Sequence, residues 1–173
     1  RAGVENIKWN VAVIESIDAE NEYDKKTKEL LKKLEPIGLD ANIFKIMPVG
    51  RAVQNLWEFF QHAPLDGPCE SEPIIENALT NPKSVCIEPS GAVNICWNLA
   101  IGNAKQKPLS QIISQYDWQQ NPTIRTLVEE GPTGLLNLSQ ARHYKLQENK
   151  LQENNYLNKC HLCIEIRKTI NTS

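Results

Sequence analysis

The chain has 173 residues, 40% of them apolar and 23% charged, and a formal net charge of −2. That length holds one ordinary domain, or a small domain plus part of another, and the composition excludes a disordered chain and a nucleic-acid surface. No apolar run approaches the roughly 20 residues of a membrane helix, and the N-terminus lacks the basic, apolar, small-residue order of a signal peptide, so a cytoplasmic protein without membrane or nucleic-acid partners is expected. Arg1 stands where a methionine would begin a chain and leads almost directly into an apolar segment, which points to a piece of something longer.

Residues 1–61 carry an α/β pattern. Val11, Ala12, Val13 and Ile14 form a short apolar run of the kind that becomes a buried strand. A helix is predicted over 24–34, where Leu30, Leu31 and Leu34 recur at helical spacing, and Pro36 and Gly38 stop it. A second strand follows over 41–47, and the intervening length suits a parallel crossover. A second helix is predicted over 51–61, with Val53, Leu56, Trp57 and Phe60 on one face.

Two prolines and a glycine between His62 and Cys69 mark a domain boundary. Beyond it, the stretches 84–88 and 92–96 alternate around Pro89-Ser90-Gly91, a hairpin signal that puts Cys96 at the end of the second strand. Short helices are predicted over 108–116, burying Leu109, Ile112 and Ile113, and over 122–130, ended by Gly131-Pro132. The polar stretch 140–155 contains Lys-Leu-Gln-Glu-Asn twice, at 145–149 and 150–154, which reads as a lengthened surface segment and not as a repeat architecture. The last segment, 160–170, should be helical.

Five cysteines are an odd number, and the contexts of three of them suit ligation better than pairing, which weakens a secreted disulfide framework. Cys69, Cys96, Cys160 and Cys163 read as one site. A CxxC pair brings two sulfurs together at a turn or helix start, as in zinc knuckles, iron–sulfur sites and thiol redox motifs. A zinc ribbon uses two such knuckles, whereas here two single cysteines complete the set. Four thiolates supplied as one, one and two also suit a four-iron cluster, whose corners lie farther apart than the ligands of one ion. Spacing leaves zinc and iron–sulfur open. A redox protein using Cys160 and Cys163 alone would leave Cys69 and Cys96 without a role. Cys86 is expected to be a small core residue, and His161 to lie beside the site or face solvent. Trp97, Leu99, Ile101, Leu162 and Ile164 are candidates for shielding the sulfurs from water.

The run Ile87-Glu88-Pro89-Ser90-Gly91-Ala92-Val93-Asn94-Ile95-Cys96, then Ile101-Gly102-Asn103 and a helix with Leu109 and Ile112, resembles the auxiliary-cluster region of radical SAM enzymes of the SPASM and twitch type. The closing Cys160-His161-Leu162-Cys163 with Glu165 and Arg167-Lys168 is similar to the tail of one such group, and Met47-Pro48-Val49-Gly50-Arg51-Ala52 looks like the last strand of its barrel. The resemblance spans about residues 11–168. It implies a C-terminal remnant of a partial (β/α)6 TIM-like barrel over 1–61 and a small α+β auxiliary-cluster domain with a β-hairpin over 62–173. It also implies that Cys69, Cys96, Cys160 and Cys163 ligate one auxiliary 4Fe-4S cluster for electron transfer or substrate positioning, with no matching ligand position for Cys86. Arg51, ending a barrel strand, would meet a carboxylate of cofactor or substrate, or else sit in a surface ion pair.

The CxxxCxxC motif that binds the S-adenosylmethionine-cleaving cluster of the family does not occur in the sequence. The chain alone is therefore not expected to generate a radical. S-adenosylmethionine and a second 4Fe-4S cluster would belong to the full-length enzyme or to a separate radical SAM core chain, with a flavodoxin- or ferredoxin-type reductant and a peptide or small-molecule substrate. The alternative is a zinc-stabilised, non-catalytic binding module.

Overall fold

The computed structural model describes residues 8–38, 40–69, 78–138 and 156–170. The duplicated pentapeptide lies outside them. The chain is mixed α/β and divides into two compact units, Arg1–Gln61 and His62–Ser173.

In the first unit, β1 (Lys8–Val13) and β2 (Asp40–Lys45) pair in parallel, with Val11 opposite Ile43 and Val13 opposite Lys45. The helix α1 (Glu22–Leu34) forms the crossover between them. It begins where Asn21 accepts the Asp24 N–H at 2.8 Å, which satisfies one of the unpaired donors of a helix start. The predicted stop is gradual: a 3-10 turn over Glu35–Ile37 follows before Gly38. Leu30, expected on the inner face, is exposed, whereas Leu31 and Leu34 are half-buried.

The inward anchor of α1 is polar. Asp24 is fully buried, and its carboxylate accepts the N–H groups of Ile14 at 2.7 Å, Glu15 at 2.9 Å and Ser16 at 3.3 Å, with the Asn21 amide at 2.8 Å. Burial by itself would raise the pKa of this acid, but the four donors outweigh it and hold the group below its ordinary value. The helix α2 (Arg51–Leu56) is shorter than predicted and tightens into a 3-10 turn at Trp57–Phe59.

In the second unit, β3 (Cys86–Ile87), β4 (Ala92–Cys96) and β5 (Leu99–Asn103) form an antiparallel sheet in that order. The β3–β4 turn closes with Gly91 N–H donating to the Glu88 carbonyl at 2.8 Å. Gly91 has φ +90, and a Cβ there would lie 2.5 Å from Oδ1 of Asn103, so glycine is required both by the turn and by the neighbouring strand. The sequence pattern did not identify β5 as a strand. Its pairing with β4 is irregular, and the two-residue link Trp97-Asn98 places Asn98 at φ +49.

Among the described residues, three α-helices complete the unit: α3 (Leu109–Ser114), α4 (Pro122–Glu129) and α5 (Lys159–Ile170). Helix α3 is too short to bury two consecutive isoleucines, so Ile112 is buried and Ile113, expected inside, is 50% exposed. Helix α4 is capped by Asn121, with Pro122 in its first turn, and buries Ile124 and Leu127. Helix α5 is enclosed on nearly every side from Lys159 to Arg167 and packs on the 3-10 turn Pro132–Asn137. Leu162 and Ile166 join Leu79, Ile95, Leu99, Ile124, Leu127 and Leu135 in one apolar core. At about 25 cal/mol per Å² of apolar surface, this burial supplies most of the drive for the unit to fold.

Candidate metal centre

The core also contains sulfur. Cys69 and Cys163 are buried in it, Cys96 is partly buried against it, and all four of Cys69, Cys96, Cys160 and Cys163 line one cavity. Three segments supply them. Cys69 ends the stretch after Gly67-Pro68, Cys96 ends β4, and Cys160 and Cys163 lie in the first turns of α5. The start of α5 is fixed by Asn158, whose Oδ1 accepts the His161 N–H at 2.9 Å. A spacing of three on a helix then puts Cys160 and Cys163 on the same side.

Apart from Arg167, the remaining described walls are apolar, formed by Ala78, Leu79, Trp97, Leu99, Leu127 and Ile164. Trp97, Leu99 and Ile164 therefore stand where shielding side chains were expected. Ile101 and Leu162 pack in the core but do not line the cavity. None of the five cysteines is in a disulfide.

Burial pushes the Cys69 thiol up, and the neighbouring Cys163, Cys160 and Cys96 thiols add to the rise, against a smaller opposing effect of Lys159. Burial likewise raises Cys96, opposed by the Trp97 N–H and by Arg167, and it raises Cys163, opposed by the charge and hydrogen bond of Arg167. A dithiol oxidoreductase needs a partly exposed thiol of lowered pKa. The burial of Cys163 works against that reading. A cation that replaces the thiol protons removes the cost of their loss, so metal binding at such a site releases protons.

Cys86 departs from expectation. Its partner across the sheet is Asn94, but β3 is a two-residue edge strand and leaves Cys86 exposed instead of in the core. His161 is buried, not solvent-facing; its Nδ1 accepts the Leu157 N–H at 3.3 Å, and its ring meets that of Tyr156 edge-on at 5.3 Å. That bond occupies Nδ1, and burial, with a smaller push from Lys168 against the pull of Glu165, holds the imidazole pKa below its ordinary value.

Arg51 begins α2 in the unit of residues 1–61, exposed, and makes no ion pair with a described residue. Two further charged side chains are buried in this unit, and one of them, Arg167, lines the cavity. Arg167 and Lys159, 5% and 6% exposed, are the buried charged groups among the described residues of the second unit. The sequence disguised both, because a lysine or arginine among isoleucines on a helix ordinarily marks a solvated face.

No protein-family model, curated protein or solved structure matches the chain. No helix among the described residues is long and apolar enough to cross a membrane.

Proposed function

We propose that residues 62–173 bind one 4Fe-4S cluster through Cys69, Cys96, Cys160 and Cys163, as the auxiliary-cluster domain of a radical SAM enzyme of the SPASM or twitch type. The observation that carries this reading is the convergence of four cysteines from three separate segments on one apolar cavity, while the fifth cysteine stays outside.

The donor set suits the group. Thiolates are the usual ligands of such clusters, and apolar walls limit the water access that shifts potential and promotes oxidation. Among the described residues, no three His, Cys, Asp or Glu side chains are grouped to hold a single metal ion.

When bound, the cluster would supply one-electron transfer or a fixed surface for substrate. The chain's own part is to position the sulfurs and exclude water. Residues 1–61 are read as the terminal strand–helix–strand portion of a partial (β/α)6 barrel. The parallel β1–β2 pair supports this, as do Ile43 and Phe44, adjacent on β2 and 48% and 51% exposed. Neighbouring strand residues point to opposite faces, and parallel sheets are ordinarily covered on both. Arg51 is the candidate there for a carboxylate of S-adenosylmethionine or substrate. Cleavage of S-adenosylmethionine is assigned to a separate core bearing the CxxxCxxC motif, so this chain acts with that core, a flavodoxin- or ferredoxin-type reductant and a peptide or small-molecule substrate.

Anaerobic reconstitution of the full chain with iron and sulfide, followed by metal and sulfide analysis, tests the reading. About four irons and four sulfides per chain are expected, with loss in Cys69→Ala and in Cys96→Ala. One tightly held zinc without sulfide overturns it and leaves a zinc-stabilised module.

A further inference from the structure

Arg167 is a buried guanidinium without a carboxylate partner among the described residues. Its Nε lies 3.2 Å from Sγ of Cys163, Nη1 donates to the Asn98 carbonyl at 2.6 Å, and Nη2 donates to the Trp97 carbonyl. One planar group thus joins a sulfur on α5 to both carbonyls of the turn that follows Cys96.

Burying a cation is costly unless charge is returned nearby. The two carbonyls satisfy hydrogen bonds but carry no net charge. The second buried cation, Lys159, sits on the same helix and donates to the Pro68 carbonyl at 3.2 Å, next to Cys69. No buried Asp or Glu accompanies Arg167 among the described residues of this unit. Among the described residues lining the cavity, the groups that can turn negative are the four thiols. A buried guanidinium on one of four ionisable sulfurs is a charge distribution that suits an anionic, sulfur-ligated group.

We propose that Arg167 is the positioning and charge-balancing residue of the four-cysteine site: it donates to the Cys163 sulfur as a thiolate ligand, and through Trp97 and Asn98 it fixes Cys96 relative to α5. This inference rests on the cluster-binding reading above. A hydrogen bond and a positive charge at a ligand sulfur favour the more negative, reduced state, so Arg167 raises the potential of the bound cluster. Reduction here is the entry of one electron, with no bond made or broken.

The test uses the reconstituted full chain as wild type, Arg167→Met and Arg167→Lys. It reads iron and sulfide per chain, the rate of iron loss to a chelator, and the midpoint potential with mediators at a poised electrode. Arg167→Met is expected to shift the midpoint to a more negative value. Arg167→Lys keeps the charge but cannot span a sulfur and two carbonyls, so a smaller shift and faster iron loss are expected. If Arg167→Met does not fold, Arg167→Lys alone decides by the same two readouts. Wild-type midpoint and wild-type iron retention in the folded variants would overturn the proposal and leave Arg167 as a brace for the turn. A wild-type chain that takes up no iron and sulfide would sink the cluster reading itself, which is a distinguishable failure.

Discussion

Gly131 packs directly on Gly67: a Cβ at position 131 would stand 1.9 Å from the Gly67 carbonyl oxygen. Gly131 also has φ +80 and ψ −168, a region open essentially to glycine. Gly131→Ala therefore combines backbone strain of about 1–3 kcal/mol with a clash that no rotamer change relieves. The segment that must give way is Gly67-Pro68, immediately before Cys69. Chemical denaturation is expected to show the loss of stability, and iron retention after reconstitution is expected to fall with it.

Asp24→Asn should loosen the β1–α1 connection. One carboxylate oxygen becomes an NH2 group facing backbone donors, and hydrogen bonds to a charged acceptor are each worth about 1.5–3 kcal/mol. The native carboxyl pKa lies below its unfolded value near 3.8. Its contribution is thus complete at neutral pH, begins to fall as the pH approaches the unfolded value, and is lost through the lower native one. Hydrogen exchange over residues 10–16 should separate wild type from Asp24→Asn at pH 7, with the gap narrowing towards pH 3. An equal gap at both values would contradict the assigned charge.

Cys86 provides an internal control. It is exposed on an edge strand while the other four cysteines face a cavity. Limited alkylation of the folded chain should label Cys86 first, and Cys86→Ser should retain wild-type iron and sulfide. Loss of the cluster in Cys86→Ser would place the ligand set elsewhere.

The Tyr116 hydroxyl donates to the Leu79 carbonyl, tying the end of α3 to a residue of the cavity wall. Tyr116→Phe removes one hydrogen bond with little change of shape, for an expected loss of about 1 kcal/mol. A urea denaturation curve with an unchanged slope and a lowered midpoint would show this.

Local elements were legible in the sequence where short-range chemistry determines them. Helix α1 follows from leucine spacing and its Pro-Gly end, α4 from Pro122 and Gly131-Pro132, and the β3–β4 turn from Pro89-Ser90-Gly91. Tertiary context decided the rest. Strand β5 contains Gly102 and follows a turn that depends on Asn98 at positive φ, so no clean alternation announced it. Cys86 alternates like a core residue, but an edge strand of two residues has no second sheet to bury it. The grouping of Cys69, Cys96, Cys160 and Cys163 could be inferred from a CxxC and two single cysteines. The burial of Arg167 could not, since only the packing of α5 turns a charged residue inward.

The enclosure of α5 also orders events during synthesis. Pro68 and Lys159, joined by a hydrogen bond, are 91 positions apart in the chain. Translation runs from the N-terminus, so Cys69 and Cys96 leave the ribosome well before the helix that completes their pocket. Until residues 159–167 emerge, the sheet and α4 have no central helix to close on, and those two thiols have no finished cage. Such long-range closure is slow relative to local helix and hairpin formation. In the proposed cluster reading, loading of the site thereby follows the emergence of residues 159–167.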